Sequence, residues 1–189
     1  MRKITGKAKD TVMIGLFAVL LCVCSVISLP GVIPLTLQSL GVFLALSILG
    51  GKRGTLAICV YLVLGLVGLP VFSGFGSGVG ALAGPTGGYL LGWIPGGLAV
   101  WLTQRWWSRR WVKLLSLGIA LTVCYISGTA WFMTVYTRQT GPIGLWTALG
   151  LCVLPFIIPD LCKLAVALWL SQRLGRISGA SSPANAPRP

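Results

Sequence analysis

The sequence contains no histidine, and its only acidic residues are Asp10 and Asp160. General acid–base catalysis needs groups that titrate near neutral pH, and one aspartate in an apolar run supplies little of that chemistry. A mixed zinc site needs histidine beside cysteine, and the cysteines show no zinc-binding spacing. The phosphate-binding motif GxxxxGK[ST] of many ATPases is absent as well. We therefore expect no catalytic residues, no metal site and no cofactor.

Charge of either sign is scarce, because only 9% of the 189 residues are charged, whereas soluble domains carry about 25%. Lipid rather than water must face most of such a surface, and a membrane span needs roughly 20 apolar residues. Helices satisfy their backbone polar groups internally, so an all-α integral membrane protein with six transmembrane helices is predicted. The six apolar runs are Thr11–Leu29, Thr36–Gly50, Thr55–Leu69, Gly87–Thr103, Lys113–Thr134 and Gly144–Leu170.

The net charge of +13 is distributed unevenly along the chain. The first and third connections between the predicted spans carry no charge, and the fifth carries only Arg138. Cationic loops stay in the cytoplasm, so this alternation predicts that both termini are cytoplasmic. It favours a bilayer with anionic headgroups over nucleic acid as the partner of the basic groups. Apart from Lys163, which lies within the last apolar run, the other cations are Arg2, Lys3, Lys7, Lys9, Lys52, Arg53, Arg105, Arg109, Arg110, Lys113, Arg173, Arg176 and Arg188.

These patterns divide the chain into three parts. We expect a basic cytoplasmic tail over residues 1–10, a six-helix membrane domain over 11–177, and a disordered tail rich in Ser, Pro and Ala over 178–189. The six cysteines all fall in predicted spans, where they are interpreted as small packing residues. The chain is predicted to be a multi-pass protein of a bacterial cytoplasmic membrane.

Asp160 and Lys163 stand out inside the apolar run LPFIIPDLCKLAVALWL. A charge at that depth costs several kcal/mol unless it finds a partner. A spacing of three residues places the two side chains on one helix face, so they can pair. The pair is either a self-satisfying structural feature or the polar edge of a solute site, and the second interpretation is favoured. Pro159 is interpreted as a helix start that leaves both residues near the outer face.

An apolar, glycine-dense and uncharged segment follows the third predicted span, over Pro70–Thr86. Most loops are polar, so this one is predicted to cover a pocket as a lid that includes Phe72 and Phe75. The alternative is helix packing through glycines that recur at every fourth position.

Three other observations leave alternatives open. Gln38 lies in an apolar run and could bond a neighbouring helix, Tyr89 could belong to an interfacial belt, and the tryptophans from Trp93 to Trp111 are interpreted as belt anchors.

The motifs GLPVF, GPTGGYLLG and PDxxK together resemble the BioY family, the biotin-binding S components of energy-coupling factor (ECF) vitamin transporters. The resemblance covers Ile33 to Trp93 and Leu154 to Leu170. It implies an ECF S-component-like fold with six helices and a biotin pocket at the outer end. It also implies assembly with a transmembrane T component and two cytoplasmic ATPase subunits, which would energise uptake. The substrate-binding residues that it implies are Asp160, Lys163, Gln38, Tyr89, Phe72, Phe75 and Thr86.

The resemblance is incomplete on the first helix, where S components tend to show an AxxxA docking pattern and this chain has Gly15 and Val19. Small residues at helical spacing still predict a docking face there, comprising Gly15, Ala18 and Cys22. Biotin suits the polar pair, because its ureido ring carries two N–H donors and one carbonyl acceptor. Lys163 could donate to the ureido oxygen or to the carboxylate. A stand-alone facilitator remains the alternative function, while a membrane enzyme and a purely structural membrane partner are less favoured.

Overall fold

The structure, a computed structural model, describes residues 2–31, 33–107 and 109–177. The predicted disordered tail 178–189 lies outside these residues, while most of the predicted N-terminal tail is helical. One two-residue antiparallel hairpin, β1 (Ser28–Leu29) with β2 (Leu35–Thr36), joins the first two helices. Within the described part of the chain the helices are α1 (Arg2–Val26), α2 (Gln38–Leu66), α3 (Gly78–Ala83), α4 (Gly87–Thr103), α5 (Arg110–Gln139), α6 (Leu145–Cys152) and α7 (Leu154–Ile177).

Helix α2 is not straight, because Gly50 adopts a backbone conformation with φ 83° and ψ 170°. A side chain would strain that conformation, so glycine is required at the bend. The helical segments on either side fold back on each other, since the backbone of Gly54 lies against that of Leu46. The second and third predicted apolar runs therefore form two legs of one bent helix. The first leg begins at Gln38, and the second ends beside Phe72, whose ring lies against Gly65.

Four stretches among the described residues are long and apolar enough to cross a membrane. The second of them contains the bend at Gly50, and the fourth is interrupted at Val153 between α6 and α7. Helix α4 has 17 residues. A helical architecture with four candidate membrane spans is thus observed, while six spans and cytoplasmic termini stay predictions. The four stretches are Lys7–Val26, Gln38–Leu66, Arg110–Gln139 and Leu145–Leu174.

Close packing of α4 against α5 depends on small residues. Three glycines of α4, at Gly88, Gly92 and Gly96, each lie against α5 so closely that a Cβ atom would overlap it. Lipid offers no hydrophobic drive for helix association, so close backbone approach supplies dispersion contacts instead. Of the predicted repeat Gly76, Gly80, Gly84 and Gly88, only Gly88 takes part in this packing, which Gly92 and Gly96 continue along α4. The packing does not extend back through the Pro70–Thr86 segment, where a Cβ on Gly80 would meet nothing within 4 Å.

The basic groups gather at the end of the bundle that contains the Gly50 bend. Gln104 Oε1 accepts a hydrogen bond from the backbone N–H of Gly51 at 2.7 Å. The Lys113 ammonium donates to the Ser47 carbonyl at 2.8 Å and to Ser171 Oγ at 3.3 Å. Nearby cations lie over indole rings, which suits an interface between lipid and water. These pairs are Lys52 with Trp101, Arg105 with Trp106, Lys113 with Trp107, and Arg173 with Trp169.

Two interpretations from the sequence are wrong. Trp93 is not a belt residue, because its side chain is only 4% exposed and its ring meets that of Phe43 edge-on at 5.7 Å. Pro159 does not start a helix, because α7 begins at Leu154. Pro155 occupies the first turn instead, where the missing N–H costs nothing. Asp160 consequently lies in the second turn of α7.

Candidate functional site

A cavity of about 260 Å³ lies at the end of the bundle opposite the Gly50 bend. This volume is close to the lower end of the about 300–1,000 Å³ that is common for small-molecule sites. Its walls come from the starts of α2, α4 and α7 and from the middle of α5, and its cover comes from two connecting segments. The lining residues are Ile33, Pro34, Thr36, Gln38, Ser39, Phe72, Ser73, Ala81, Thr86, Tyr89, Leu90, Trp93, Cys124, Tyr125, Cys152, Phe156, Asp160 and Lys163.

The Asp160 carboxylate, 5% exposed, forms the polar centre of this wall. Its Oδ1 atom accepts hydrogen bonds from Ser39 Oγ at 2.7 Å and from the Lys163 ammonium at 2.8 Å. Its Oδ2 atom accepts one from the Tyr125 hydroxyl at 2.7 Å. A buried carboxylate is tolerated only when it is paired and hydrogen-bonded, and these three donors meet that condition. The carboxylate is thereby held in one orientation against the cavity.

Lys163 joins α7 to the segment that precedes α2. Besides Asp160, its ammonium donates to the Thr36 carbonyl at 2.7 Å and to Ser39 Oγ at 3.1 Å. The Thr36 carbonyl belongs to β2, so this side chain ties the hairpin to the last helix. The ion pair is therefore both a local i,i+3 contact and a long-range link across the cavity wall.

Gln38 and Tyr89 approach the cavity from other helices. The Gln38 Nε2 atom is buried and has no hydrogen-bond partner among the described residues. The Tyr89 hydroxyl lies 3.1 Å from Thr129 Oγ1, and the ring packs on Gly128, where a Cβ would overlap it. Tyr89 is thus part of the cavity wall and packs into the bundle rather than standing in a surface belt.

The Pro70–Thr86 segment covers the cavity from one side. Phe72 is 2% exposed, and its ring meets Tyr61 edge-on at 5.5 Å in a slot beside Gly65. The Phe72 N–H donates to the Gly76 carbonyl at 3.0 Å, which closes a tight turn that includes Phe75 at φ 59°. The segment is therefore anchored by one aromatic side chain. Its position over the cavity is the one that a lid requires.

Of the seven predicted binding residues, the structure brings Asp160, Lys163, Gln38, Tyr89, Phe72 and Thr86 to the cavity. Phe75 is not a lining residue, and its side chain is 68% exposed. Sequence reasoning missed Ser39, Tyr125 and Trp93. Ser39 had a signal, since it follows Gln38 directly, whereas Tyr125 lies in a featureless apolar run of α5.

The predicted docking residues of α1 do not share one accessible face. Gly15 is exposed and Cys22 is half-buried, but Ala18 is 1% exposed and packs in the core. The prediction therefore needs correction at Ala18, because the small-residue stripe turns toward α2 and Tyr61 donates to Ser25 on it at 2.7 Å. The outer face of α1 carries larger apolar residues, namely Val12, Leu16, Val19 and Val23.

A comparison with protein-family models matches residues 1–180 to the BioY family. The chain belongs to the BioY family. It is 38% identical to a probable biotin transporter BioY of Pyrococcus horikoshii over 169 residues, which cover 89% of this chain and 97% of that protein. It is 37% identical to the biotin transporter BioY of Thermotoga maritima over 172 residues, with the same two coverages. Family membership and the four apolar stretches together make the chain a multi-pass membrane protein.

This BioY-family chain has the same fold as a protein of known structure. The crystal structure of the S component for biotin from an ECF-type ABC transporter superposes with a TM-score of 0.80. The match covers 91% of this chain and 93% of that chain, at 24% sequence identity. The ECF S-component-like fold is therefore confirmed, and the cavity described above lies within that fold.

Proposed function

We propose that this BioY-family chain is the biotin-binding, substrate-specificity subunit of a vitamin uptake transporter. The observation that supports this most is the buried Asp160 carboxylate, held by three donors at one wall of an otherwise mainly apolar cavity. Biotin has a matching division, with a polar ureido ring and an apolar thiophane ring and chain. The relatives of this chain in Pyrococcus horikoshii and Thermotoga maritima are named as a probable biotin transporter and a biotin transporter.

The apolar part of the ligand would lie against aromatic walls. Phe72 and Trp93 are nearly fully buried and face the cavity together with Tyr89 and Phe156. Such side chains suit a ring and an alkyl chain, while few polar groups fix the orientation. We propose that the chain binds its ligand and releases it unchanged.

Energy for uphill uptake would come from partners. The chain has no nucleotide-binding motif of its own, so we propose assembly with a transmembrane T component and two cytoplasmic ATPase subunits. The cation-rich end, with the Gly50 bend and the α4–α5 connection, would face the cytoplasm of a bacterial cell, and both termini with it. The cavity at the other end would then open toward the outside, where the vitamin is captured.

Proteoliposome uptake tests this proposal. We expect labelled biotin to accumulate above its external concentration only when the chain is reconstituted with the T component, both ATPases and ATP inside. Replacement of ATP by a non-hydrolysable analogue is the control, and accumulation should then stop at equilibrium. Uphill accumulation by the chain alone, without nucleotide, would overturn the subunit proposal and favour a stand-alone facilitator or secondary transporter.

A further inference from the structure

The Lys113 side chain lies half-buried at the basic end of the bundle, which contains the Gly50 bend, and it links α5 to two other helices. Its ammonium donates to the Ser47 carbonyl of α2 at 2.8 Å and to Ser171 Oγ of α7 at 3.3 Å. The Ser171 hydroxyl gives its own proton to the Leu168 carbonyl at 2.9 Å, so it accepts from the ammonium. An ammonium has three N–H donors, and the third has no acceptor among the described residues.

The indole ring of Trp107 completes the surroundings of this ammonium. The Lys113 nitrogen lies 5.2 Å from the centre of the ring. The ring is held in place, because its Nε1–H donates to Ser116 Oγ at 3.1 Å and Ser116 donates to the Val112 carbonyl at 2.8 Å. A carbonyl, a hydroxyl and an aromatic face therefore fix the position of the ammonium, and all three are uncharged.

The acidic side chains of the chain do not supply a counter-ion for Lys113. There are only two of them, and Asp10 pairs with Arg53 at 2.8 Å. Asp160 pairs with Lys163 at 2.8 Å, beside the cavity at the opposite end of the bundle. A charge that is partly removed from water at a membrane is costly unless an opposite charge meets it. We therefore expect the counter-ion of Lys113 to come from outside the chain.

Exposed indoles mark the level at which lipid headgroups meet the basic end. Trp106 and Trp169 are 53% and 57% exposed, and tryptophan is enriched at that level of a bilayer. Trp106 directly precedes Trp107, which lies under the ammonium. Trp169 lies two residues before Ser171, which accepts from the ammonium. Lys113 is thus at headgroup level, where the phosphates of acidic lipids are available as anions.

We propose that Lys113 binds the phosphate of an acidic phospholipid in the leaflet at the basic end. The phosphate accepts the third N–H of the ammonium and is its counter-ion. An acidic lipid fits better than a zwitterionic one, because the exposed Arg109 and Arg110 nearby would repel a choline group. The same ammonium holds Ser47 and Ser171, so the bound lipid stabilises the contacts of α5 with α2 and α7. This site is separate from the cavity and does not depend on the proposed ligand.

Native mass spectrometry tests the assignment, because it resolves the binding of single lipid molecules to the chain in a neutral detergent. The measured quantity is the affinity for the first phosphatidylglycerol relative to the first phosphatidylcholine. Lys113→Gln keeps a donor for the Ser47 carbonyl and removes the charge. We expect this variant to lower the wild-type preference for phosphatidylglycerol by about fivefold or more. Lys113→Met is a second neutral variant if glutamine impairs folding, and Lys113→Arg should retain the preference.

Lys52→Gln is the matched control, since it removes the same charge from an exposed side chain over Trp101 at the same end. We expect it to change the preference by less than twofold. Equal losses in Lys52→Gln and Lys113→Gln would overturn the site in favour of diffuse attraction by the basic surface.

Two measurements on the wild type need no variant. An excess of inorganic phosphate should leave phosphatidylglycerol bound, and displacement would mean that the site takes a free anion instead. Phosphatidylglycerol should also raise the melting temperature more than phosphatidylcholine does. Absence of any preference between the two lipids would contradict the proposal and leave Lys113 for an acidic group of a partner protein.

Discussion

Replacement of Asp160 by asparagine is expected to lower biotin affinity by about tenfold to more than a hundredfold. The variant keeps the side-chain size but removes the charge, and charge-assisted hydrogen bonds contribute roughly 1.5–3 kcal/mol. It also leaves Lys163, whose side chain is 12% exposed, without its counter-ion. Breaking a buried pair from one side costs about 3–5 kcal/mol, so the yield of folded protein should fall as well. Ligand titration and a thermal melt in detergent measure the two effects.

The double variant Asp160→Asn with Lys163→Met separates structure from binding. No lone charge remains in it, so we expect folding to recover while biotin affinity stays low. The matched control is Asp10→Asn with Arg53→Met, which removes the ion pair at the opposite end, where the side chains are 41% and 50% exposed. Exposed pairs contribute little, and the control should bind like the wild type. Wild-type affinity in a folded Asp160 and Lys163 double variant would remove both residues from the site.

Replacement of Phe72 by alanine is expected to accelerate biotin release by about tenfold to a hundredfold. Burial of a phenylalanine side chain contributes roughly 1.5–3 kcal/mol, and this ring is the anchor of the covering segment beside Tyr61 and Gly65. Loss of the anchor should shift the segment toward an open state. Dissociation rates measured after dilution, together with the mobility of a spin label at Val79, report the change. Biotin should reduce that mobility in the wild type.

The control for this experiment is Phe75→Ala in the same segment. Phe75 is 68% exposed and does not line the cavity, so its removal should leave the release rate unchanged. A larger effect from Phe75 than from Phe72 would mean that the segment closes in a different arrangement over the ligand. Equal and negligible effects from both would indicate that the segment is a fixed packing element.

The parts of the fold that sequence could predict are those governed by single strong effects. The cost of charge in lipid singled out Asp160 and Lys163, and the i,i+3 spacing predicted their contact, which is present at 2.8 Å. The uncharged, glycine-rich composition of Pro70–Thr86 predicted a covering segment, and the structure places it over the cavity. The charge alternation agrees with a bundle whose basic groups gather at one end.

The other features of the fold and the site depend on how each helix is rotated about its axis and which helices it contacts. Local sequence does not determine either of these. Trp93 and Trp101 lie eight residues apart in α4, yet one is 4% and the other 42% exposed. Ala18 belongs to a small-residue stripe, but which face of α1 meets α2 is decided by packing with partners such as Tyr61. Tyr125 becomes a site residue because its hydroxyl reaches Asp160 on α7, at 2.7 Å. The burial of Trp93 and Ala18 and the position of Tyr125 can therefore be read only from the assembled helix bundle.

Equilibrium binding of labelled biotin to the purified chain, in detergent and without nucleotide or partner subunits, tests the central claim most directly. Unlabelled biotin, lipoate and thiamine serve as competitors. We expect saturable binding that unlabelled biotin displaces and that the other two vitamins leave in place at the same concentrations, because they lack the cyclic urea. Absence of saturable binding by the folded chain, or equal displacement by lipoate, would contradict the assignment of this cavity to biotin.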